Sequence, residues 1–144
     1  MTKTTPKTIA ARSTANQKYE FTGETKEWLG DTLKQIRALI SFGGIVKGEI
    51  GGWIKAEANL AVTGNAWVYG NAWVYGDARV SGDAWVSGNA WVYGDARVSG
   101  NARVSGDARV SGDARVSGDA WVSGDAWVYG NARVYGNARV YGNA

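Results

Sequence analysis

The chain has 144 residues, a single proline, no cysteine, no histidine and a formal net charge of +3. That length suits one domain. The missing cysteines exclude a disulfide framework and a thiol nucleophile, and the missing histidines exclude both the usual near-neutral proton acceptor and a three-histidine zinc site. No apolar run of about 20 residues and no apolar leader core are present, so neither a membrane span nor a secretory signal is expected.

Residues 1–17, rich in Thr, Lys and Ala, show no periodicity and read as a flexible tail. Residues 18–49 form a separate unit, a small N-terminal β cap. Residues 19–22 read as a short strand and Gly23 as its turn. Residues 33–42 fit two elements: Leu33, Ile36 and Ile40 share a helical face, whereas Ile36, Ala38 and Ile40 share a strand face, and the strand is preferred. Gly43, Gly44, Gly48, Gly51 and Gly52 punctuate the entry into a long run of repeats. Ile50, Ile54, Ala56, Leu60 and Val62 already fall in the inward register of those repeats, so residues 50–144 are read as one unit with irregular first copies.

From Gly64 the chain repeats Gly-(Asn/Asp)-Ala-(Trp/Arg)-Val-(Tyr/Ser) thirteen times and stops inside a further copy. A period of six does not fit an α-helix of about 3.6 residues per turn. Within Ala-Trp-Val or Ala-Arg-Val, the small and branched residues face one way and the large one faces the other. Gly followed by Asn or Asp supplies a corner, because these residues tolerate positive φ. Each hexapeptide is therefore a short strand and a bend that cannot bury its own Ala and Val, and stacking the units gives a β-solenoid.

The fourth positions read Trp-Trp-Arg, Trp-Trp-Arg, Arg-Arg-Arg, Trp-Trp-Arg, then Arg139. A recurrence every 18 residues predicts three sides per coil, a triangular prism. Val68, Val74, Val80, Val86, Val92, Val98, Val104, Val110, Val116, Val122, Val128, Val134 and Val140 are then the core. Three outer columns result: Trp67, Trp85, Arg103, Trp121 and Arg139; Trp73, Trp91, Arg109 and Trp127; and Arg79, Arg97, Arg115 and Arg133. Neighbours in a column lie about 4.8 Å apart, so Trp can stack on Trp and Arg can sit over Trp. Asp77, Asp95 and Asp113 precede three of the third-column arginines by two residues and are expected to screen them. The repeats hold seven Arg and seven Asp, and the net charge of +3 comes from residues 1–57.

The inward Val and Ala of each hexapeptide resemble the left-handed parallel β-helix of the hexapeptide-repeat proteins, and the left hand is implied by that resemblance. A second resemblance adds the preceding segment. Residues 33–42, Val46-Lys47-Gly48, Gly51-Gly52-Trp53-Ile54 and Glu57-x-Asn59-Leu60, followed by Gly-Asn-Ala-Trp-Val, look like the start of the YdcK-like bacterial and phage-associated proteins. That family carries acyltransferase and polymer-forming labels and implies no settled function.

The expected function is structural: a non-enzymatic, self-associating scaffold with filament-forming capacity, and a homo-oligomer or polymer as its assembled state. The candidate contact surface is Trp67, Trp73, Trp85, Trp91, Trp121 and Trp127 with Arg79, Arg97, Arg115 and Arg133. The last coil, ending at Gly142-Asn143-Ala144, is a second candidate, because an open coil presents unpaired strand edges. The alternative is a phage or cell-surface module that grips glycan or protein through the same columns, and a weaker one is an inactive relative of the hexapeptide acyltransferases. Nucleic acid is disfavoured because the repeats are neutral. No metal or cofactor is expected: one carboxylate per corner falls short of the oxygens calcium needs, and no phosphate-binding loop motif is present. The expected location is the cytoplasm or a phage particle.

Overall fold

The computed structural model describes residues 16–142. Strand β1 (Tyr19–Trp28) and strand β2 (Asp31–Ala38) form an antiparallel hairpin. Strand β3 (Ile50–Ile54) continues that sheet antiparallel to β2. A single 3-10 turn, Glu57–Asn59, comes next, and then thirteen two-residue strands from Trp67–Val68 to Arg139–Val140. The chain is a parallel β-solenoid of 18 residues per coil: Trp67 pairs with Trp85, Trp73 with Trp91 and Arg79 with Arg97. The strands fall into three sheets, the three sides of the prism, and β1 to β3 extend one of them.

Coils are joined along the axis by backbone hydrogen bonds. Trp91 N donates to Ala108 O at 3.0 Å, Tyr93 N to Val110 O at 2.9 Å and Asp95 N to Gly112 O at 2.8 Å, and the same set recurs from Trp73 to Asp125. Corners are closed within a coil, as by Ala84 N donating to Ser81 O at 3.2 Å. The repeat glycine is required there for two reasons. Gly100 has φ +65°, and a Cβ on it would stand 2.9 Å from Gly118 N in the next coil. Inside, the valines from Val68 to Val134 are buried, and Val140, in the last described coil, is half-buried. Burying each valine contributes roughly 1.5–3 kcal/mol, an amount no isolated hexapeptide could gain.

The N-terminal unit departs from the sequence-based expectation in several places. Contacts with the cap reach back before residue 18. Asn16 is buried, its Oδ1 accepting from Lys18 N at 3.0 Å and Tyr19 N at 3.1 Å, while its Nδ2 donates to Glu57 Oε2 at 3.0 Å. The rest of the proposed tail, residues 1–15, lies outside the described residues. Gly23 is not the turn. It lies inside β1, where the register with β2 shifts between Phe21 and Thr25, a β-bulge. The turn is the two-residue loop Leu29-Gly30, with φ +47° and +86°, between the paired residues Trp28 and Asp31. Two positive φ values at that length are the hairpin geometry that matches strand twist.

The first coil is longer than the others. Trp53 pairs with Trp73 and Leu60 bridges to Val80, a spacing of 20, against 18 for Trp67 and Trp85. The two extra residues lie between Ala61, whose N donates to Val80 O, and Asn65, whose N donates to Gly82 O. This insertion shifts the register before it. Ile54 and Leu60 take valine positions and are buried, whereas Ile50 (48% exposed) and Ala56 point outward and Val62 is half-buried. Asn59 sits where an outward residue belongs, yet it is buried. Its Oδ1 accepts from Lys55 N (3.0 Å) and Ala56 N (2.8 Å), and its Nδ2 donates to Ala78 O (2.8 Å). One amide thereby replaces strand bonds that the 3-10 turn interrupts.

Candidate interaction surface

The three outer columns form in the predicted register, but their chemistry differs from side to side. In the first column the top residue is core. Trp67 is fully buried, edge-on to Tyr19 at 6.4 Å and to Phe42 at 5.4 Å between ring centroids. Gly51 is pressed against it, since a Cβ there would meet Trp67 Cζ2 at 2.7 Å. The Trp67 indole N–H has no hydrogen-bond partner among the described residues, which costs about 1–3 kcal/mol. Below it, aromatic and guanidinium rungs alternate. Trp85 lies under Tyr69 at 5.3 Å, Arg103 covers Trp85 at 4.4 Å, and Arg139 covers Trp121 at 4.6 Å.

The second column is shared with the hairpin. Trp73 and Trp91 stack at 4.8 Å with 3° between planes, and Trp28 stands edge-on to both at 5.1 Å. Lys26 Nζ lies 4.4 Å from the Trp53 ring centre. Tyr75 stacks on Tyr93 at 5.1 Å, and Trp28 Nε1 donates to Tyr75 Oη at 3.3 Å. Past the hairpin the column opens: Arg109 covers Trp91 at 4.6 Å, and Trp127 is 56% exposed.

The third column is the run Arg79, Arg97, Arg115 and Arg133, in register and all exposed. No aromatic ring separates these guanidinium groups, so neighbours repel on the order of 1 kcal/mol per pair in water. The expected screening by Asp77, Asp95 and Asp113 is not realised as ion pairing. Among the described residues the salt bridges are Arg37–Glu20 at 2.7 Å within the hairpin and Lys55–Asp31 at 3.4 Å between the residue after β3 and the hairpin. Two carboxylates at other corners engage along the axis, with Asn89 Nδ2 donating to Asp107 Oδ1 at 3.2 Å and Asn101 Nδ2 to Asp119 Oδ1 at 3.1 Å.

Comparison with known families agrees with this architecture. The model of the YdcK β-solenoid repeat matches residues 72–88, 78–94, 90–106, 96–112, 108–124 and 132–144. The repeats are of the YdcK β-solenoid type. No curated protein matches it.

The YdcK-type repeats divide the ten proposed surface residues into four groups. Trp67 is withdrawn from the surface, because the hairpin and Phe42 close over it. Trp73, Trp85 and Trp91 are half-buried, the first and third beneath Trp28 and the second beneath Tyr69 and Arg103. Trp121 (41% exposed) and Trp127 are open, and the four arginines form a side of their own. Arg103, Arg109 and Arg139, outside those ten, form the cation–π rungs expected of the columns, and Tyr129, Tyr135 and Tyr141 are exposed surface residues that the ten do not include. Their signal was the same 18-residue register, read at the fourth and sixth positions.

Among the described residues no three His, Cys, Asp or Glu side chains come together in a way that could hold a metal ion. None of their helices is long and apolar enough to cross a membrane. The perturbed titrating groups lie at the capped end. Burial lowers Lys18 to about 8, opposed by the nearby Asp83, and its Nζ donates to Ala61 O at 3.0 Å. Burial, reinforced by Glu49, pushes Tyr69 up to about 12, and burial also raises Tyr19, whose hydroxyl donates to Leu60 O at 2.6 Å. Lys18 and Tyr19 thereby tie the cap to the first coil.

Proposed function

We propose that the chain is a non-catalytic structural β-solenoid that associates with further copies of itself through the open part of its aromatic–arginine sides. The observation that carries this reading is the exposure of Trp121, Trp127 and Tyr129 on the coils past the hairpin, where the same column positions nearer the N-terminal unit are covered. Rings of that size left in water favour burial against a partner. A second copy is the best-matched partner because it carries the same rung spacing. In the first column guanidinium and indole alternate from Trp85 to Arg139, so two antiparallel copies in register, with Trp85 opposite Arg139 and Arg103 opposite Trp121, place arginine against tryptophan at every level. The repeats are also formally neutral, so copies do not repel strongly. A catalytic role lacks its usual groups in a chain without histidine or cysteine.

The test is negative-stain electron microscopy of the full chain across a concentration series. Regular particles or filaments that grow with concentration are expected, and uniform small particles throughout would overturn the reading. A second reading, a module that grips glycan or protein, is favoured by a slot of about 350 Å³ where Ser111 interrupts the tyrosine ladder between Tyr93 and Tyr129, beside Arg109 and Trp127. Binding of a ring-shaped ligand by a strictly monomeric chain would favour it.

A further inference from the structure

We propose that the third side is a binding groove for an acidic polysaccharide, in which Arg79, Arg97, Arg115 and Arg133 take carboxylates and Ser81, Ser99 and Ser117 take sugar hydroxyls. This side plays no part in self-association through the aromatic–arginine sides. It carries a shallow groove of about 510 Å³ lined by Arg79, Arg97, Arg115 and the three serines, with the small residues Ala58 and Ala61 at one end. No residue of the hairpin and no carboxylate lines it.

Three features define the occupant. First, charge: the arginines of the other two sides spend their guanidinium groups on tryptophan at 4.4–4.6 Å, whereas those of the third side have neither a ring nor an ion-pair partner among the described residues. Asp77, Asp95 and Asp113 precede these arginines by two residues and Asp83 and Asp119 follow Ser81 and Ser117 by two, yet none of the five lines the groove. Second, period: strand pairing holds the arginines one rung apart along a straight line, which suits a linear polymer with regularly repeated anions. A guanidinium fork meets a carboxylate with two parallel hydrogen bonds. Third, the sixth position: Ser81, Ser99 and Ser117 stand where Tyr75 and Tyr93 stand on the neighbouring side. Hydroxyls there can exchange hydrogen bonds with a sugar, while the missing rings remove the stacking platform that single-stranded nucleic acid requires.

The probe is polygalacturonate, titrated by calorimetry into the full chain at low and high salt, with neutral dextran and oligo(dT) in parallel and particle size followed in the same samples. Polygalacturonate is expected to bind and to weaken as salt rises, with no binding of dextran. The Arg97→Gln/Arg115→Gln variant is expected to lose at least about tenfold in affinity, in line with charge-assisted hydrogen bonds. The Arg103→Gln/Arg109→Gln variant removes the same two charges from the other sides and is expected to change affinity less than about twofold. Ser99→Asp sets a carboxylate in the groove without touching an arginine and is also expected to lose binding. No binding by the unaltered chain, equal losses in the two double variants, or tighter binding of oligo(dT) through the same arginines would overturn the proposal. Polysaccharide binding that survives in particles of monomer size separates this site from self-association.

Discussion

Three rungs separate Trp67 from Trp121 on one column, yet the first is core and the second is surface. Both occupy the fourth position of the same hexapeptide, and both point away from the Ala and Val interior. The difference lies in what covers them. Tyr19 and Phe42 close over Trp67, whereas Trp121 has only the guanidinium groups of Arg139 (4.6 Å) and Arg103 (5.8 Å) against its ring and stays 41% exposed. A periodic strand thus decides the direction of a side chain, and the non-repeating N-terminal unit decides whether that direction leads to water. The hairpin also supplies antiparallel neighbours for β3, so the solenoid's N-terminal edge on that sheet is paired.

The contrast can be broken most severely from inside. Val110→Asp places a charge in the middle coils with no partner, and a loss of about 3–5 kcal/mol is expected. Circular dichroism during chemical denaturation reads it, and a native transition midpoint would refute the inward assignment. Next, the two ends can be set against each other. Trp67→Ala should cost about 3–5 kcal/mol as a large buried ring, and Trp127→Ala under about 1 kcal/mol, the worth of an exposed cation–π contact. Equal costs, measured at concentrations where the chain is dispersed, would erase the distinction between capped and open coils.

Glycine variants sharpen the same comparison along the axis. Gly100 and Gly136 share a φ near +65°, but a Cβ on Gly136 meets nothing within 4 Å, whereas one on Gly100 meets the next coil. Both alanine variants should lose about 1–2 kcal/mol from the left-handed conformation, and Gly100→Ala should lose more. The smallest expected effect is on pH dependence at the capped end. Lys18 has a folded pKa of about 8 against 10.5 for the free side chain, so between those values the unfolded chain binds more protons. Stability contributed by this group should therefore rise from about pH 8 upward. Tyr19 and Tyr69, both raised, act in the opposite sense above pH 10. A stability–pH profile should climb between pH 8 and 10 and flatten in Lys18→Met.

Much of this fold was legible in advance, and the reasons are specific. The Trp-Trp-Arg triplets give the 18-residue coil and all three columns, because one residue of register error would turn every valine outward. Residues 33–42 were ambiguous between helix and strand, and pairing with β1 and β3 resolved residues 33–38 as strand. The two-residue insertion before Asn65 escaped notice because Ile54 and Leu60 are apolar in either register. Asn59 reads as a surface residue in sequence, and only the backbone amides around the 3-10 turn explain its burial. The candidate surface was half legible. Its columns come from the period, but the burial of Trp67 and the partial cover of Trp73 and Trp91 depend on contacts from residues 19–42 that no local pattern announces.

Sedimentation velocity tests the central claim, self-association through the open rungs, most directly. The full chain and a Trp121→Ser/Trp127→Ser variant would be compared over a wide concentration range. The account predicts that the unaltered chain grows in mass with concentration while the variant, with an unchanged circular dichroism spectrum, stays near monomer mass. A monomer at every concentration, or equal growth by both chains, would contradict it.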